Sequence, residues 1–421
     1  MLPFPTMKTA ATWYYLVLLI LAGEAVFILP FVLPRIFRPT VLDVFRLDNV
    51  QLGLCFSVYG IVALVSYLVG GPLADRYPPR KLIAIALWMT ALGGTVFAAF
   101  PSFETLRILY GYWGFTTIFL FWAPMIKATR AWGGDTSQGK AFGLLDGGRG
   151  LTGALFGVLG VVIFSMFISE DASVVDIGAR TQAFKNVIYS SSLIIAVIGL
   201  LVWFFMKMDA KGEEVTVQRI SLSEIRKVLK LPAVWLLMMI ILCAYVGYKI
   251  TDVLSLYARE VMQYDEVEAA QVGTFLQFLR PTTGILVGLV VDRFRISAWL
   301  FGSFILSIIG GVLFASGVLG PSNTALFFLS VTIIAAGVYA ARALYFAVMQ
   351  TGSIPLAYTG TAVGLISLIG YTPDIFAGPA YGYLLDSNPG EPGHQNVFWM
   401  LVVFSVLGAI ASGVYHRMFG K

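Results

Sequence analysis

The sequence predicts an all-α membrane protein with about twelve transmembrane helices, and three observations carry that expectation. Hydrophobic residues make up 58% of the 421 positions and charged residues only 12%, whereas a soluble domain carries about 25% charged residues. Mean hydropathy is +0.84. Apolar blocks, each near the roughly 20 residues needed to cross a bilayer, recur along the whole chain, and the polar residues collect between them. So much apolar surface exceeds what one or two soluble cores could hide, and a bilayer serves as its solvent.

The blocks fall near 13–34, 51–74, 82–101, 105–127, 139–167 and 184–206, and then near 232–257, 268–291, 297–319, 323–348, 358–385 and 395–415. The first begins near Trp13 and carries Glu24, with no small-residue cleavage site after it, so it reads as a retained helix. The polar stretch Lys207–Lys230 divides the helices six and six. The expected organisation is an N-terminal six-helix bundle over 1–206, a cytoplasmic linker over 207–231 and a C-terminal six-helix bundle over 232–421. Within the linker, Ile220–Lys230 fits either a short amphipathic helix at the interface or a solvated strand of chain.

The net charge of +5 does not point to nucleic acid, because no basic run of the kind that tracks phosphates is present. Most Lys and Arg sit between the apolar blocks, where loop charge sets topology. With both termini on one side, sixteen Lys and Arg fall in the loops of that side. Seven fall opposite: Arg35, Arg38, Arg46, Arg107, Arg180, Lys185 and Arg259. The positive-inside rule therefore places both termini and the linker in the cytoplasm. Cys55 and Cys243 lie inside apolar blocks with no metal-ligand spacing around them, which argues against a disulfide framework or a metal site.

The halves echo each other. Gly71-Pro72-Leu73-Ala74-Asp75-Arg76-Tyr77 ends the second block, and Gly288-Leu289-Val290-Val291-Asp292-Arg293-Phe294 ends the eighth, 217 positions later. Gly139-Lys140-Ala141-Phe142-Gly143-Leu144 opens the fifth, and Gly360-Thr361-Ala362-Val363-Gly364-Leu365 opens the eleventh, 221 positions later. Two similar offsets argue for duplication of a six-helix unit, a common transporter plan.

The Gly-x-Leu-Ala-Asp-Arg element at Gly71, completed by Arg80 and Lys81, resembles the loop motif of the major facilitator superfamily, and Arg107-Ile108-Leu109-Tyr110-Gly111 resembles that family's second, weaker motif. Pro78 and Pro79 depart from the loop pattern, in which Gly is usual near Pro78. The resemblance spans essentially the whole chain and implies two six-helix bundles related by a pseudo-two-fold axis. It implies further that helices one, four, seven and ten line a central cavity, that two, five, eight and eleven join the halves, and that the rest face lipid. Physically, Gly71 permits close helix approach, and Asp75 suits a neighbouring helix N-terminus. Arg76, Arg80 and Lys81 can then pair with acids or carbonyls in one state only. Gly71, Asp75, Arg76, Arg80, Gly288, Asp292 and Arg293 are thus expected to form a conformational latch. Drug antiporters of the family often carry Gly-Pro on helix five; here that helix reads Gly147-Gly148-Arg149-Gly150, and Gly378-Pro379 occurs on helix eleven instead.

Ionisable residues inside the blocks are the sharpest functional signal. They are Glu24, Lys127, Asp146, Arg149, Lys249, Asp252, Arg280, Arg342 and Asp374, all on helices the resemblance assigns to the cavity or the joint. A charge at mid-bilayer costs at least about 2.5–3.5 kcal/mol, so this placement implies a polar pathway. Asp146 and Arg149, and Lys249 and Asp252, are each three apart on one helical face and could neutralise themselves. Lys127 can snorkel to the surface. Arg280 and Arg342 have no acid within a turn, so each needs a partner from another helix, Asp374 or Glu24, or an anionic substrate whose geometry suits a planar guanidinium. Glu24, near mid-membrane, is a candidate proton carrier or else a fixed arginine partner. Trp113, Trp122, Tyr245, Tyr248, Tyr345 and Tyr371 cluster at the same depths, as belt and packing residues also do.

These charges leave one excess cation. The expected function is secondary active transport of a small organic anion (a carboxylate, sugar acid or phosphate ester) by alternating access with proton symport. The expected substrate-binding residues are Arg280, Arg342, Arg149, Lys249, Tyr248 and Tyr345, and the expected proton-coupling residues are Glu24 and Asp374. Efflux of lipophilic or cationic compounds and a non-transporting receptor on the same fold are the alternatives. No enzyme chemistry, cofactor or metal is expected. The expected partners are the substrate, a coupling ion and lipid, and the setting is a monomer spanning a bacterial inner membrane many times.

Overall fold

The computed structural model describes residues 11–69, 71–133, 138–168, 177–206, 222–290, 295–345, 348 and 359–419. Every regular element among them is a helix. Nine of these helices are long and apolar enough to cross a membrane, from Trp13–Ile36 to Glu391–Phe419. The other three expected blocks are helical but interrupted or charged. The fourth runs Phe103–Gly114, a π-helical stretch Phe115–Trp122, then Ala123–Gly133. The eighth, Glu266–Val290, opens on two acids. The eleventh is two helices, Thr359–Gly370 and Pro373–Ser387, parted at Tyr371 and Thr372. A helix does form within the central polar stretch, at Leu222–Leu229, with Val228 buried against the second half.

One boundary is corrected. The sequence, with prolines at 30, 34 and 39 and three arginines close by, reads as a helix ending near residue 34. The first span instead continues to Ile36, and a further helix, Arg38–Phe45, follows. Proline lacks the donor that an α-helix interior needs. The π-helical turn Ile28–Val32 shifts the hydrogen-bond register around Pro30, and Pro34 sits in the first turn of the helix that resumes. Arg35 and Arg38 are thereby buried, at 4% and 0% exposure, and are not loop charges.

The two halves meet along two helix pairs. The second span, Asn49–Tyr67, lies on Pro373–Ser387 so closely that a Cβ at Gly53 would come within 2.4 Å of the Gly378 backbone. Asp386 accepts hydrogen bonds from the backbone amides of Asn49 and Val50 at 3.2 and 2.8 Å, capping the second span from the other half of the chain. In the second pair, Gly150, Gly153 and Gly157 of the fifth span sit against Pro281, Gln277 and Thr274 of the eighth. Towards the side of the chain ends, no described atom outside the local helix lies within 4 Å of a Cβ built at Gly143, Gly147 or Gly284. Among the described residues the joint is thus closed away from the chain ends and parted towards them.

That closed side is stitched by polar contacts. Glu266 accepts from Thr40 at 3.0 Å and pairs with Arg180 at 3.3 Å and Arg259 at 3.1 Å, while Arg180 also reaches Asp43 at 2.6 Å. These link the helix Arg38–Phe45 and the sixth span to the seventh and eighth.

Candidate functional site

A cavity of about 380 Å³ lies between the halves, within the range of small-ligand pockets. Its walls come from the first, second, fourth, fifth, seventh, eighth, tenth and eleventh spans. The expectation of four lining helices was too narrow, because the helices that join the halves also face the cavity. The departures from regular α-helix cluster here. The π-helical stretches of the first and fourth spans carry Phe31, Val32, Ile118 and Trp122 into the wall, and the break in the eleventh span delivers Tyr371 and Asp374. Asp374 stands in the first turn of Pro373–Ser387, where the helix dipole favours a carboxylate.

Five basic side chains line the cavity: Arg35, Arg149, Lys249, Arg280 and Arg342. The carboxylate of Glu24, 3% exposed, lies 3.3 Å from Arg149 Nε and 3.4 Å from Arg280 Nη1. Arg280 also reaches Asp146 at 3.4 Å. Lys249 Nζ lies 3.3 Å from Asp374 and 3.8 Å from Asp252, and it sits over the Phe31 and Phe56 rings. Asp374 further accepts from the Tyr245 hydroxyl at 3.1 Å. Arg35 pairs with Asp252 and donates to Gln277 Oε1 at 3.3 Å.

Arg342 differs from the rest. It makes no ion pair with a carboxylate among the described residues, and its Nη1, out of contact with solvent, has no hydrogen-bond partner there. Its Cζ lies 4.0 Å from the centroid of the Tyr248 ring, and Arg35 Cζ lies 4.7 Å from the same centroid.

The family model of the Major Facilitator Superfamily matches residues 15–378. The chain belongs to that superfamily. Two relatives in Escherichia coli K12 are inner membrane proteins. YqcE is 27% identical over 397 residues, covering 92% of this chain and 91% of its own. YihN is 26% identical over 416 residues, covering 96% of each. Among solved structures, a bacterial homologue of the human lysosomal transporter Spinster superposes with a TM-score of 0.75 at 18% identity over 98% of both chains. The nucleoside transporter NupG gives 0.71 at 14% identity over 98% of this chain and 100% of its own. At such identities the likeness is one of fold. The chain is thus a multi-pass membrane transporter of this superfamily.

Within this major facilitator fold the sequence-derived candidates are distributed as follows. Glu24, Arg149, Tyr248, Lys249, Arg280, Arg342 and Asp374 all line one cavity. Tyr345 lies just behind it, with its hydroxyl 3.3 Å from that of Tyr371. The two helical pairs do not simply neutralise themselves: Asp146 is drawn to Arg280, Arg149 to Glu24, Asp252 to Arg35 and Lys249 to Asp374. Lys127 is no cavity residue; its Nζ donates to the Ala74 carbonyl at 2.9 Å. Trp113 is buried inside the N-terminal half, donating to the Thr90 carbonyl at 3.2 Å. In the expected latch, Gly71 opens the helix Gly71–Arg76, Arg76 is exposed and Arg80 partly so. Pro78 holds an extended turn and Pro79 begins the third helix, a substitute for the usual glycine. The Asp75 side chain, Asp292 and Arg293 lie outside the described residues, and Gly288 falls in the last turns of the eighth span.

Sequence reasoning missed Arg35, Tyr59 and Tyr67. Arg35 had one usable signal, its spacing of eleven from Glu24, which keeps both near one face of a continuing helix. The two tyrosines sit on a span with no charge to draw attention.

Proposed function

We propose that this chain carries a small organic anion by alternating access, with proton coupling through Glu24 or Asp374, and that Arg342 grips the anionic group. The observation behind the reading is Arg342 itself, a cavity guanidinium whose buried Nη1 has no hydrogen-bond partner and which has no carboxylate within ion-pair distance among the described residues. A buried donor left unmet is unfavourable unless a ligand supplies its acceptor, and a guanidinium meets a carboxylate or phosphate through a planar fork. Tyr248, stacked under it, holds the fork's plane. Arg149, Lys249 and Arg280 set the field around the bound anion while already paired, and Tyr345 backs the site.

Glu24 supports the coupling part. It is shared by an arginine of the fifth span and one of the eighth, at the joint that must open and close. Neutralising it would release both guanidinium groups and loosen the joint. In the cell, the inner-membrane relatives support a bacterial inner membrane, and the positive loop bias supports both termini and the linker being cytoplasmic, the parted side of the joint then facing inward.

The test is a thermal-shift panel on purified protein, since a ligand that binds only the folded chain raises its stability. Organic anions should stabilise the wild type and lose most of that effect in Arg342→Gln. Stabilisation by lipophilic cations and by no anion would replace this reading with efflux.

A further inference from the structure

We infer that the cavity selects a monoanion with an apolar, ring-sized body, an inference that rests on the anion reading above and narrows it. Charge count sets the valence. Five cationic side chains face the cavity, and four carboxylates lie within ion-pair distance of them: Glu24 and Asp374 in the wall, buried Asp252 behind it, and Asp146, exposed but within reach of Arg280. Arg342 is the member left over. With all four carboxylates ionised, a monoanion completes the set. A second negative charge would have to displace a carboxylate from Lys249, Arg35 or the Glu24 cluster, each of which is buried and would be left facing its own partner's loss.

The walls set the body. Phe31, Tyr59, Trp122, Tyr245 and Tyr371 surround the space beside Arg342. Of the five lining tyrosines, three have engaged hydroxyls, Tyr59 with Thr117 at 2.6 Å, Tyr245 with Asp374 and Tyr371 with Tyr345, while those of Tyr67 and Tyr248 make no hydrogen bond among the described residues. Ser367 is the only lining side chain among the described residues that is polar, uncharged and not aromatic. A polyhydroxylated body would bring more donors and acceptors than Ser367 and the hydroxyls of Tyr67 and Tyr248 could meet, and each unmet group is unfavourable. A flat or aliphatic ring meets aromatic faces without that penalty.

The experiment compares ligands matched in size by thermal shift and by competition in proteoliposome counterflow at pH 7.5. Benzoate and cyclohexanecarboxylate are the monoanions, phthalate the dianion, glucuronate the hydroxylated monoanion and benzyl alcohol the neutral control. The two apolar monoanions should bind about tenfold or more tighter than phthalate, glucuronate and benzyl alcohol, the ratio that 1.4 kcal/mol represents. In Asp374→Asn, Lys249 becomes a second unmatched cation, and phthalate should gain on benzoate by a similar factor. If phthalate binds wild type as well as benzoate does, the valence argument falls while the anion reading survives. If glucuronate binds as well, the argument from the walls falls. If no anion of any kind binds, the underlying reading fails and this one with it. The wild-type ranking decides the matter even should Asp374→Asn fold poorly.

Discussion

Arg35 and Asp252 form a buried ion pair that ties the first span to the seventh, and hence one half of the chain to the other, on the side of the cavity away from the chain ends. The Arg35 carbonyl accepts from Ser255 at 2.7 Å in the same place. Removing one partner of a buried pair leaves the other charge stranded, at a cost of about 3–5 kcal/mol. Asp252→Asn should therefore lower the melting temperature markedly, and the double variant Arg35→Gln with Asp252→Asn should recover much of the loss. Additive losses in the double variant would show that the two residues do not act as a pair.

How far the sequence reaches is clear from these two residues. Asp252 was visible as an acid inside an apolar block, because the bilayer makes any charge conspicuous. Arg35 was hidden by its neighbours: Pro34, Arg38 and Pro39 look like a loop, and only the π-helical turn at Ile28–Val32 lets the span run on. The fold was legible because hydropathy, loop charge and the echo of Gly71 at Gly288 are one-dimensional signals. Pairing was not legible. That Asp146 would leave its helical neighbour Arg149 for Arg280 depends on how the fifth and eighth spans cross, which no spacing within one helix encodes.

Orientation can be tested independently of transport. Reporter tags at Glu213 and Lys421 should read cytoplasmic, and tags near Asp43 and Asp265 should read external. The opposite pattern would overturn the loop-charge argument and with it the assignment of the parted side as inward.

The latch reading concerns rates. Asp75→Asn removes a charge from the short helix Gly71–Arg76 between the second and third spans. Counterflow should slow about tenfold or more, as for a barrier raised by some 1.4 kcal/mol, while ligand-induced thermal shift stays near wild type. Normal counterflow combined with lost affinity would place Asp75 in binding instead.

Glu24→Gln separates coupling from carriage. Uptake driven by a pH gradient should be abolished, because the variant cannot gain or lose the proton. Exchange of substrate at equal pH should persist, since it need not cycle that proton. Persistence of both activities would make Glu24 a fixed partner of Arg149 and Arg280 and move attention to Asp374.

Arg342 and Arg280 differ in what their loss should do, and the difference discriminates between a site and a strut. Arg280 is held by Glu24 and Asp146 at 3.4 Å each, whereas Arg342 Nη1 has no partner among the described residues. Lysine at 342 keeps the charge but loses the planar two-point contact and the stacking on Tyr248. Ligand affinity should fall by about 1–3 kcal/mol, the scale of a charge-assisted hydrogen bond, with the melting temperature of the ligand-free protein near wild type. Lysine at 280 disturbs a satisfied cluster instead, so the ligand-free protein should melt lower, and Arg280→Gln combined with Glu24→Gln should recover part of that loss. Measuring both melting temperature and ligand-induced shift for each variant yields two independent readouts. Unchanged ligand binding in Arg342→Lys and Arg342→Ala would remove Arg342 from the site. With it would go the reason for expecting an anion, since no other cation in the cavity lacks a carboxylate among the described residues.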